Sequence, residues 1–537
     1  MLRRLVIGTL RRLASSGART DATDIGAILR QAADRLEQGD EPAAERLCHA
    51  VLASDPGHPD GVNLLGLVAL RRRNFVLAEE LFAEATSAMP EVADFHNNRG
   101  IALIELWRAG EALAEFRRAI ALDPMHALAN GNLLYLLNVL PDVTDEARFE
   151  AHCRWANRFA DIGRGASLRN VGDRSAERVL RVGYVSADFR NHAVGYFVAP
   201  LLARHDARAV SVYCYSNRAK RDEMTERMRA HATWRELHGV SDAEAEQMIR
   251  ADGIDILVDL SGHTQGNRLP LFARGPAPVQ VSFLGYPATT GIAAIDYRLT
   301  DAWADPPGTS ERYYRERLVR MPHSLWCYRP GEDMPEVTPL PAGRIGRVTF
   351  GSMNSVLKLN PRVIGVWARI LAAVAGSRLL IATVAAGEAR QRIAAEFEAH
   401  GIDAARLDYA DRIETLVYRR LFGDVDIALD PFPCNGGTTT CESLWMGVPV
   451  VTLAGAGFRS RAGLSLLTNA GLPELVASDE NEYVARAVEI AGDLTALAAL
   501  RAGLRDKLRG SPLMDIEAYV RALEAAYRRM WREACRA

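Results

Sequence analysis

A 34-residue period runs through the first third of the chain and limits what that part can fold into. Its markers are Asp55-Pro56, Met89-Pro90 and Asp123-Pro124. Small residues recur at the same step, at Ala44, Ala78 and Ala112 and at Gly66 and Gly100. Small side chains let two helices approach closely, and proline ends a helix because it cannot donate a backbone hydrogen bond. The pattern therefore predicts stacked units of two helices each.

Each unit contains two amphipathic segments with helical spacing of apolar residues. They are Ile28–Leu36 and Ala43–Leu52, Val62–Leu70 and Leu77–Ala85, and Phe95–Leu106 and Glu111–Ala121. A period of this length is typical of tetratricopeptide repeats. Residues 26–160 are accordingly predicted as an α-solenoid, with the degenerate segment Ala127–Ala160 capping the stack. The groove of such a solenoid either binds a peptide or braces a neighbouring domain, and the sequence leaves both open.

Composition excludes several classes of protein. The 65 Lys and Arg residues balance 67 Asp and Glu for a net charge of -2, so nothing global favours nucleic acid as a partner. Seven scattered cysteines without a CxxC spacing favour a reducing compartment, and we expect the cytoplasm. The uncharged run Gly275–Ile295 holds three Pro and three Gly, so no transmembrane segment is expected. Residues 1–25 are interpreted as a basic tail, with weak contact to a membrane surface or an organelle transit peptide as the alternatives.

After a polar linker at Asp161–Glu177, short apolar runs alternate with helical segments, which is typical of doubly wound parallel sheets. The expected strands are Val179–Ser186, Ser211–Tyr215, Ile254–Leu260 and Val279–Leu284, then Val348–Ser352, Leu379–Val384, Ile427–Leu429 and Val450–Leu453. The proline-rich stretch Tyr328–Ile345 separates the two series. The sequence thus predicts two Rossmann-like lobes, residues 178–330 and 346–537, with a ligand at the carboxyl ends of the strands.

The stretch that follows the strand ending at Asp430 carries the clearest chemical signal. Gly436 and Gly437 form a glycine-rich turn, and a helix is predicted to start near Thr438 and Thr439. Free N–H groups at a helix start favour a phosphate, so a nucleotide diphosphate fits there. Glu442, one turn later, could accept hydrogen bonds from a ribose. The alternative is that Thr439 and Glu442 form only a capping box.

Three further side chains follow strand ends. Lys358 follows the first strand of the second lobe, where a cation would neutralise a departing diphosphate. His192 and His263 follow two strands of the first lobe and are candidates for acid–base chemistry. The twelve histidines form no HExxH motif, and Asp424-Val-Asp426 runs into a buried strand, so no metal site is expected.

The order of these features resembles the tetratricopeptide-containing O-GlcNAc transferase and SPINDLY family. The matching motifs are "LRVGYVSADFRNH", "DGIDILVDLSGHTQGNR", "PAPVQVSFLGYPATTG", "FGSMNSVLKLNP" and "LDPFPCNGGTTTCESLWMGVPVV". The resemblance implies a glycosyltransferase B fold of two Rossmann-like lobes behind the repeats. It also implies an inverting transfer from a nucleotide sugar to Ser or Thr hydroxyls of a protein, with no required metal.

The resemblance also assigns roles to residues. It implies that His192 and His263 are catalytic-cleft histidines, that Lys358 contacts the nucleotide phosphates, and that Glu442 binds the ribose. The other residues expected to bind the donor are Gly285, Pro287, Tyr418, Cys434, Gly436, Gly437, Thr438 and Thr439. Two departures bear on the nucleobase: Tyr418 stands where many members have a histidine, and Gly437 replaces a histidine of the animal enzymes.

The expected donor is UDP-GlcNAc and the expected acceptor a protein or peptide, bound in part by the repeat groove. The alternatives are O-fucosylation from GDP-fucose, transfer to a non-protein acceptor, and a non-catalytic scaffold. The group that takes the acceptor proton is open between His192, His263 and a substrate-assisted route. The direct displacement is expected to use Lys358 and the helix start at Thr438 and Thr439 to stabilise the departing diphosphate.

Overall fold

The computed structural model describes residues 24–159, 173 and 175–536. These residues form two compact units. One holds the described residues up to Leu136 together with Val384–Ala395, and the other holds the remainder. The basic tail expected over residues 1–25 lies outside the described residues except for Asp24 and Ile25, as does most of the linker Asp161–Glu177.

The first unit is built from paired helices, as the repeat period predicts. They are α1 (Ile25–Gln38), α2 (Glu41–Ser54), α3 (Pro59–Arg71), α4 (Phe75–Ala88), α5 (Ala93–Glu105) and α6 (Ala109–Leu122), and α7 (Ala127–Leu137) follows. A Cβ added at Gly66 would lie 2.5 Å from the ring of Phe82, and one at Gly100 would lie 2.6 Å from the ring of Phe116. The repeated glycine is therefore explained by a repeated phenylalanine on the paired helix.

The degenerate fourth segment differs from the expected cap. Its second half forms helix α8 (Asp145–Phe159), which groups with the second unit. There Trp155 packs edge-on against the ring of His263 at 4.4 Å, and His152 lies 4.9 Å from the same ring. This helix buries its aromatic face against the first α/β lobe because His263 and Tyr286 offer it a matching aromatic surface.

The first lobe contains one parallel sheet of seven strands in the order β3-β2-β1-β4-β5-β6-β7. The strands are β1 (Leu180–Ser186), β2 (Val210–Ser216), β3 (Thr233–Glu236), β4 (Ile256–Asp259), β5 (Val279–Ser282), β6 (Tyr297–Asp301) and β7 (Arg317–Met321). The helices between them are α9 (Ala193–Leu202), α10 (Glu223–Arg229), α11 (Asp242–Ala251) and α12 (Leu269–Ala273). The sheet order changes direction at β1 and β4, so the loops after these strands border a cleft.

The second lobe contains a parallel sheet of six strands in the order β10-β9-β8-β11-β12-β13. The strands are β8 (Thr349–Ser352), β9 (Arg378–Ile381), β10 (Leu407–Tyr409), β11 (Ile427–Leu429), β12 (Val450–Leu453) and β13 (Val476–Ala477). The helices after β7 are α13 (Pro341–Ile345), α14 (Pro361–Ala373), α15 (Glu388–Ala399), α16 (Thr415–Arg420), α17 (Thr438–Trp445), α18 (Ala462–Asn469), α19 (Glu480–Gly492), α20 (Leu494–Arg509) and α21 (Ile516–Arg536). The predicted architecture of helical repeats followed by two Rossmann-like lobes is confirmed.

Five strands have no counterpart among the sequence predictions: β3, β6, β7, β10 and β13. Four of them, β3, β7, β10 and β13, are the edge strands of the two sheets, and they are short or carry charged residues. Strand β6 is different, because it lies between two neighbours and is fully buried. Its pattern is interrupted by Arg298, a buried charge that periodicity alone does not anticipate.

The last helix, α21, also departs from the boundary drawn from sequence. It follows the second lobe in the chain but packs on the sheet of the first, where the hydroxyls of Tyr527 and Tyr184 lie 3.1 Å apart. The Glu524 carboxylate lies 2.9 Å from Nδ1 of His205. The apolar face of α21 is buried against the first lobe, so this helix connects the two lobes. Within the part of the chain that the structure describes, no helix is both long and apolar enough to cross a bilayer.

Candidate active site

The glycine-rich loop after β11 is held in place by the buried carboxylate of Asp430, at the end of that strand. Asp430 accepts hydrogen bonds from the backbone N–H of Gly436 at 2.7 Å and from the hydroxyl of Thr452 at 2.7 Å. Burial raises the pKa of Asp430 to about 6, while these hydrogen bonds and the charge of Lys358 oppose the shift. Helix α17 then starts at Thr438, as the sequence predicted.

The start of α17 is open to a ligand. Its N-cap is Gly437, which has no side chain to accept a hydrogen bond from the first-turn N–H groups. The capping-box alternative is therefore wrong, because Thr439 lies inside the helix and its hydroxyl donates to Oδ1 of Asn354 at 3.0 Å. Unsatisfied N–H groups and the helix dipole together favour an anion at this position.

Lys358 lies beside this helix start. It ends a short 3-10 turn after β8, and its Nζ donates to the carbonyl oxygen of Asn435 at 2.7 Å and to Oδ1 of Asn354 at 3.2 Å. Asn354 thus connects the lysine to Thr439. Sequence reasoning missed both asparagines, although each stands within a motif that it quoted. The arrangement concentrates one cation and several N–H donors at one end of the sheet.

Glu442 lies one helical turn further on, and its side chain is nearly buried, at 7% exposure. Burial raises the pKa of its carboxyl to about 7, with the charge of Arg419 opposing this. The structure gives that carboxyl no hydrogen-bond partner among the described residues. A nearly buried carboxyl without a protein donor is suited to accept hydrogen bonds from a ligand.

Tyr418 and Cys434 complete the set expected in this lobe. The hydroxyl of Tyr418 donates to the carbonyl oxygen of Met353 at 2.9 Å, so the ring stands over the loop after β8. Cys434 is buried in the glycine-rich loop. Next to Tyr418, the buried Arg419 donates to the hydroxyl of Tyr196 at 3.1 Å and pairs with Asp333. This contact joins the two lobes at the side of the site where Glu442 lies.

In the first lobe, His192 is the more accessible of the two predicted histidines. It caps helix α9, with Nδ1 accepting from the N–H of Val194 at 3.3 Å and lying 3.7 Å from the carboxylate of Asp188. Desolvation lowers the pKa of His192, and the charge of Asp188 partly opposes that. The imidazole is therefore neutral at pH 7. Asp188 lies four residues before the histidine, and sequence reasoning did not single it out.

His263 is buried, with its Nε2–H donating to the carbonyl oxygen of Thr290 at 2.8 Å. Desolvation lowers its pKa to about 4, so it stays neutral. Its ring packs against Trp155 of α8 and Tyr286. A buried, hydrogen-bonded imidazole is better suited to orienting a loop than to exchanging a proton with solvent or with the acceptor substrate.

The turn that carries Gly285 and Pro287 follows β5 at the same edge of the sheet. A Cβ at Gly285 would overlap the carbonyl oxygen of Leu260, so only glycine fits this close approach to the end of β4. Across the cleft, the ring of Trp326 lies 5.8 Å from that of Phe458, and a Cβ at Gly437 would lie 3.8 Å from the indole nitrogen of Trp326. The structure brings Lys358 and Thr439 together through Asn354, and none of the hydrogen bonds or ring contacts of the described residues joins them to His192, His263 or Gly285.

Asp426 has a structural role. It is buried and accepts hydrogen bonds from the backbone N–H groups of Ala342 and Thr349 at 2.9 and 2.8 Å. Over the described ranges, no three His, Cys, Asp or Glu side chains are grouped so as to hold a metal ion.

Comparison with known proteins places this geometry in context. The chain is 41% identical over 429 residues to the rice protein named "Probable UDP-N-acetylglucosamine--peptide N-acetylglucosaminyltransferase SPINDLY", covering 78% of this chain and 46% of that one. It is 42% identical over 424 residues to the Arabidopsis thaliana protein of the same name, covering 77% and 46%. The chain thus spans about half the length of these curated relatives.

Among solved structures, a mutant of the Thermobaculum terrenum O-GlcNAc transferase superposes with a TM-score of 0.90 at 38% identity. The match covers 96% of this chain and 99% of that one, which confirms the expected glycosyltransferase B fold. The model of the family described as "Glycosyl transferase family 41" matches residues 165–333 and 340–523. The lobes, their glycine-rich loop and these matches lead to one conclusion: the chain belongs to glycosyl transferase family 41.

Proposed function

We propose that the protein is an inverting glycosyltransferase that moves GlcNAc from UDP-GlcNAc to Ser or Thr hydroxyls of a polypeptide. The observation that carries the proposal is the placement of Lys358 beside the open start of α17, with the carboxyl of Glu442 one turn along the same helix. The likeness to an O-GlcNAc transferase over 96% of the chain supports the same reaction.

The second lobe is proposed to hold the nucleotide. Thr438, Thr439 and the first N–H groups of α17 bind the diphosphate, and Lys358 donates to it from the other side. Negative charge grows on the diphosphate oxygen as its bond to the anomeric carbon breaks, so preorganised donors there lower the barrier. Glu442 accepts hydrogen bonds from the ribose hydroxyls, which gives its buried carboxyl the partners it lacks.

The first lobe is proposed to serve the acceptor. The acceptor oxygen attacks the anomeric carbon, a new C–O bond forms on the face opposite the leaving group, and the hydroxyl proton must leave. His192 can take it only in the tautomer that carries its proton on Nδ1, directed at Asp188. In the other tautomer Nδ1 accepts from Val194, and Nε2 presents an N–H to the cleft. In the structure Nδ1 accepts from Val194, so the basic form of His192 requires Nδ1 to carry the proton and donate it to Asp188, 3.7 Å away.

The repeats are proposed to contribute to acceptor binding, and the protein to act in a reducing compartment such as the cytoplasm. The cysteines support the second point, because all seven are free thiols in the described part of the chain.

The donor is tested by calorimetric titration of the whole chain with UDP, UDP-GlcNAc, GDP and GDP-fucose, with transfer to a peptide mixture measured in parallel. Binding of UDP compounds, lost in Lys358→Ala, is the expected result. A response to GDP compounds alone would replace the proposed donor with GDP-fucose. No response to any of the four would leave the scaffold as the better account.

A further inference from the structure

Arg298 lies in the middle of strand β6 with its side chain fully buried. Placing a guanidinium in the interior costs several kcal/mol unless hydrogen bonds replace its water. Within the described ranges, no carboxylate lies at ion-pair distance from it. We therefore expect the N–H groups of the buried Arg298 to make specific hydrogen bonds.

The two short hydrogen bonds of Arg298 are directed at one turn, while a longer one reaches the hydroxyl of Ser282 at 3.5 Å and Nε has no partner among the described residues. Arg298 donates to the carbonyl oxygen of Tyr286 at 2.7 Å and to that of Ala288 at 3.0 Å. Both acceptors belong to the turn Gly285–Thr290, which follows β5 at the cleft. A planar guanidinium can donate to two carbonyl oxygens at once, which a lysine ammonium at the same place does less well.

The opposite end of the same turn is held by Glu316, which is also buried. Its carboxylate accepts from the hydroxyl of Thr289 at 2.6 Å, and from the N–H and hydroxyl of Thr290 at 2.7 and 2.5 Å. The carbonyl oxygen of Thr290 in turn accepts the Nε2–H of His263. Two buried charges of opposite sign therefore fix the turn and orient the histidine through it.

Arg298 also contacts the second lobe. Its guanidinium packs over the rings of Phe458 at 4.9 Å and Tyr314 at 5.3 Å. Phe458 lies in the loop after β12, and the next residue, Arg459, accepts at its carbonyl oxygen from the N–H of Asn435 at 2.8 Å. Asn435 belongs to the glycine-rich loop and bonds Lys358. The turn is thus connected to the proposed diphosphate site by a series of contacts, from Arg298 to Phe458, from Arg459 to Asn435 and from Asn435 to Lys358.

We propose that Arg298 and Glu316 are positioning residues that hold the turn Gly285–Thr290 against the sugar of the donor. The inference rests on the proposed function, because it places the sugar between this turn and the start of α17. The contacts through Phe458, Arg459 and Asn435 are what place the turn as the first-lobe wall for a sugar attached to a diphosphate at that helix start. Fixing that wall before the donor binds keeps the anomeric carbon in line with the acceptor.

The test compares Arg298→Lys with a matched control, Arg501→Lys. Arg501 is equally buried, but it donates to the carbonyl oxygens of Thr338, Val425 and Phe422, away from the cleft. Both variants keep the positive charge and lose the planar donor, so both should lower the unfolding temperature. Each is measured for kcat, for UDP affinity and for UDP-GlcNAc affinity by calorimetry.

We expect Arg298→Lys to lower kcat at least about tenfold and to reduce the affinity advantage of UDP-GlcNAc over UDP. Its affinity for UDP alone should stay within about twofold, since the nucleotide is held by the second lobe. Arg501→Lys should keep all three values near those of the wild type. Glu316→Gln, an isosteric change, should show the same changes as Arg298→Lys but smaller ones. It replaces Arg298→Lys in the test if Arg298→Lys fails to fold.

Two results from the variants would overturn the inference. One is an unchanged kcat and sugar advantage in both Arg298→Lys and Glu316→Gln. The other is an equal loss in Arg501→Lys, which would mean that buried arginines matter only for stability. A wild-type protein that binds UDP-GlcNAc no more tightly than UDP would also contradict it. Failure of the proposed function itself would be recognised separately, as a wild type that binds neither UDP nor UDP-GlcNAc.

Discussion

Replacing Lys358 with alanine should lower the turnover number strongly. Its Nζ is held 2.7 Å from the carbonyl oxygen of Asn435 and 3.2 Å from Oδ1 of Asn354, so it stands ready beside the start of α17. A preorganised donor at an oxygen that gains charge contributes about 2.7–4 kcal/mol to transition-state stabilisation. We therefore expect kcat of Lys358→Ala to fall by about 10²–10³.

The same substitution should leave the fold intact. It removes two hydrogen bonds, each with a net contribution of about 0.5–1.5 kcal/mol, from a chain whose unfolding free energy is expected to be several times larger. The sequence offers a matched control, because it contains only three lysines, Lys220, Lys358 and Lys507. Lys507 is exposed on α20 of the same lobe, and Lys507→Ala should behave as wild type.

The assay is UDP release from UDP-GlcNAc in the presence of acceptor peptide, together with thermal unfolding of each variant. Lys358→Met, which keeps the length of the side chain, separates the charge from the packing and should be as impaired as Lys358→Ala. A kcat within about threefold of wild type in both Lys358 variants, with folding preserved, would refute the assigned role.

Three further predictions follow from local geometry. Since burial raises the pKa of Glu442 to about 7, its ionised fraction falls from about nine-tenths at pH 8 to about one-tenth at pH 6. Donor affinity should fall up to about tenfold over that range, and calorimetry on Glu442→Gln should show a flat profile. A Cβ at Gly436 would overlap a threonine hydroxyl of the helix start, whereas one at Gly437 meets its nearest heavy atom at 3.8 Å. Gly436→Ala should therefore weaken UDP binding by about tenfold or more while Gly437→Ala stays close to wild type, and similar affinities for the two would contradict the site geometry. In the repeats, Gly66→Ala would press on a phenylalanine ring 2.5 Å away and should lower stability by about 1–3 kcal/mol in denaturant unfolding. Gly110→Ala, which meets nothing within 4 Å, should be neutral or slightly stabilising.

Elements with a local signal could be predicted from the amino-acid sequence alone. The 34-residue period is the period of the helix pairs, because the glycine on one helix and the phenylalanine on its partner recur together. The glycine-rich stretch before Thr438 predicted the helix start, and strands β11 and β12 were predicted at their observed bounds, Ile427–Leu429 and Val450–Leu453. Each of these depends on neighbours in the chain, so periodicity and glycine placement are sufficient.

Which distant residues share a site depends on how the chain packs in three dimensions. Asn354 and Lys358 meet Thr439 and Asn435 about 80 residues away in the chain, because β8 and β11 are adjacent in a parallel sheet. The separation of the two histidines, one half-exposed and one buried beneath α8, likewise depends on packing. The role of Arg298 also depends on packing. Its charge interrupts the apolar pattern of β6, so the strand was not predicted from the sequence. Its burial is explained only once the carbonyl oxygens of the turn are seen to lie within reach of its guanidinium.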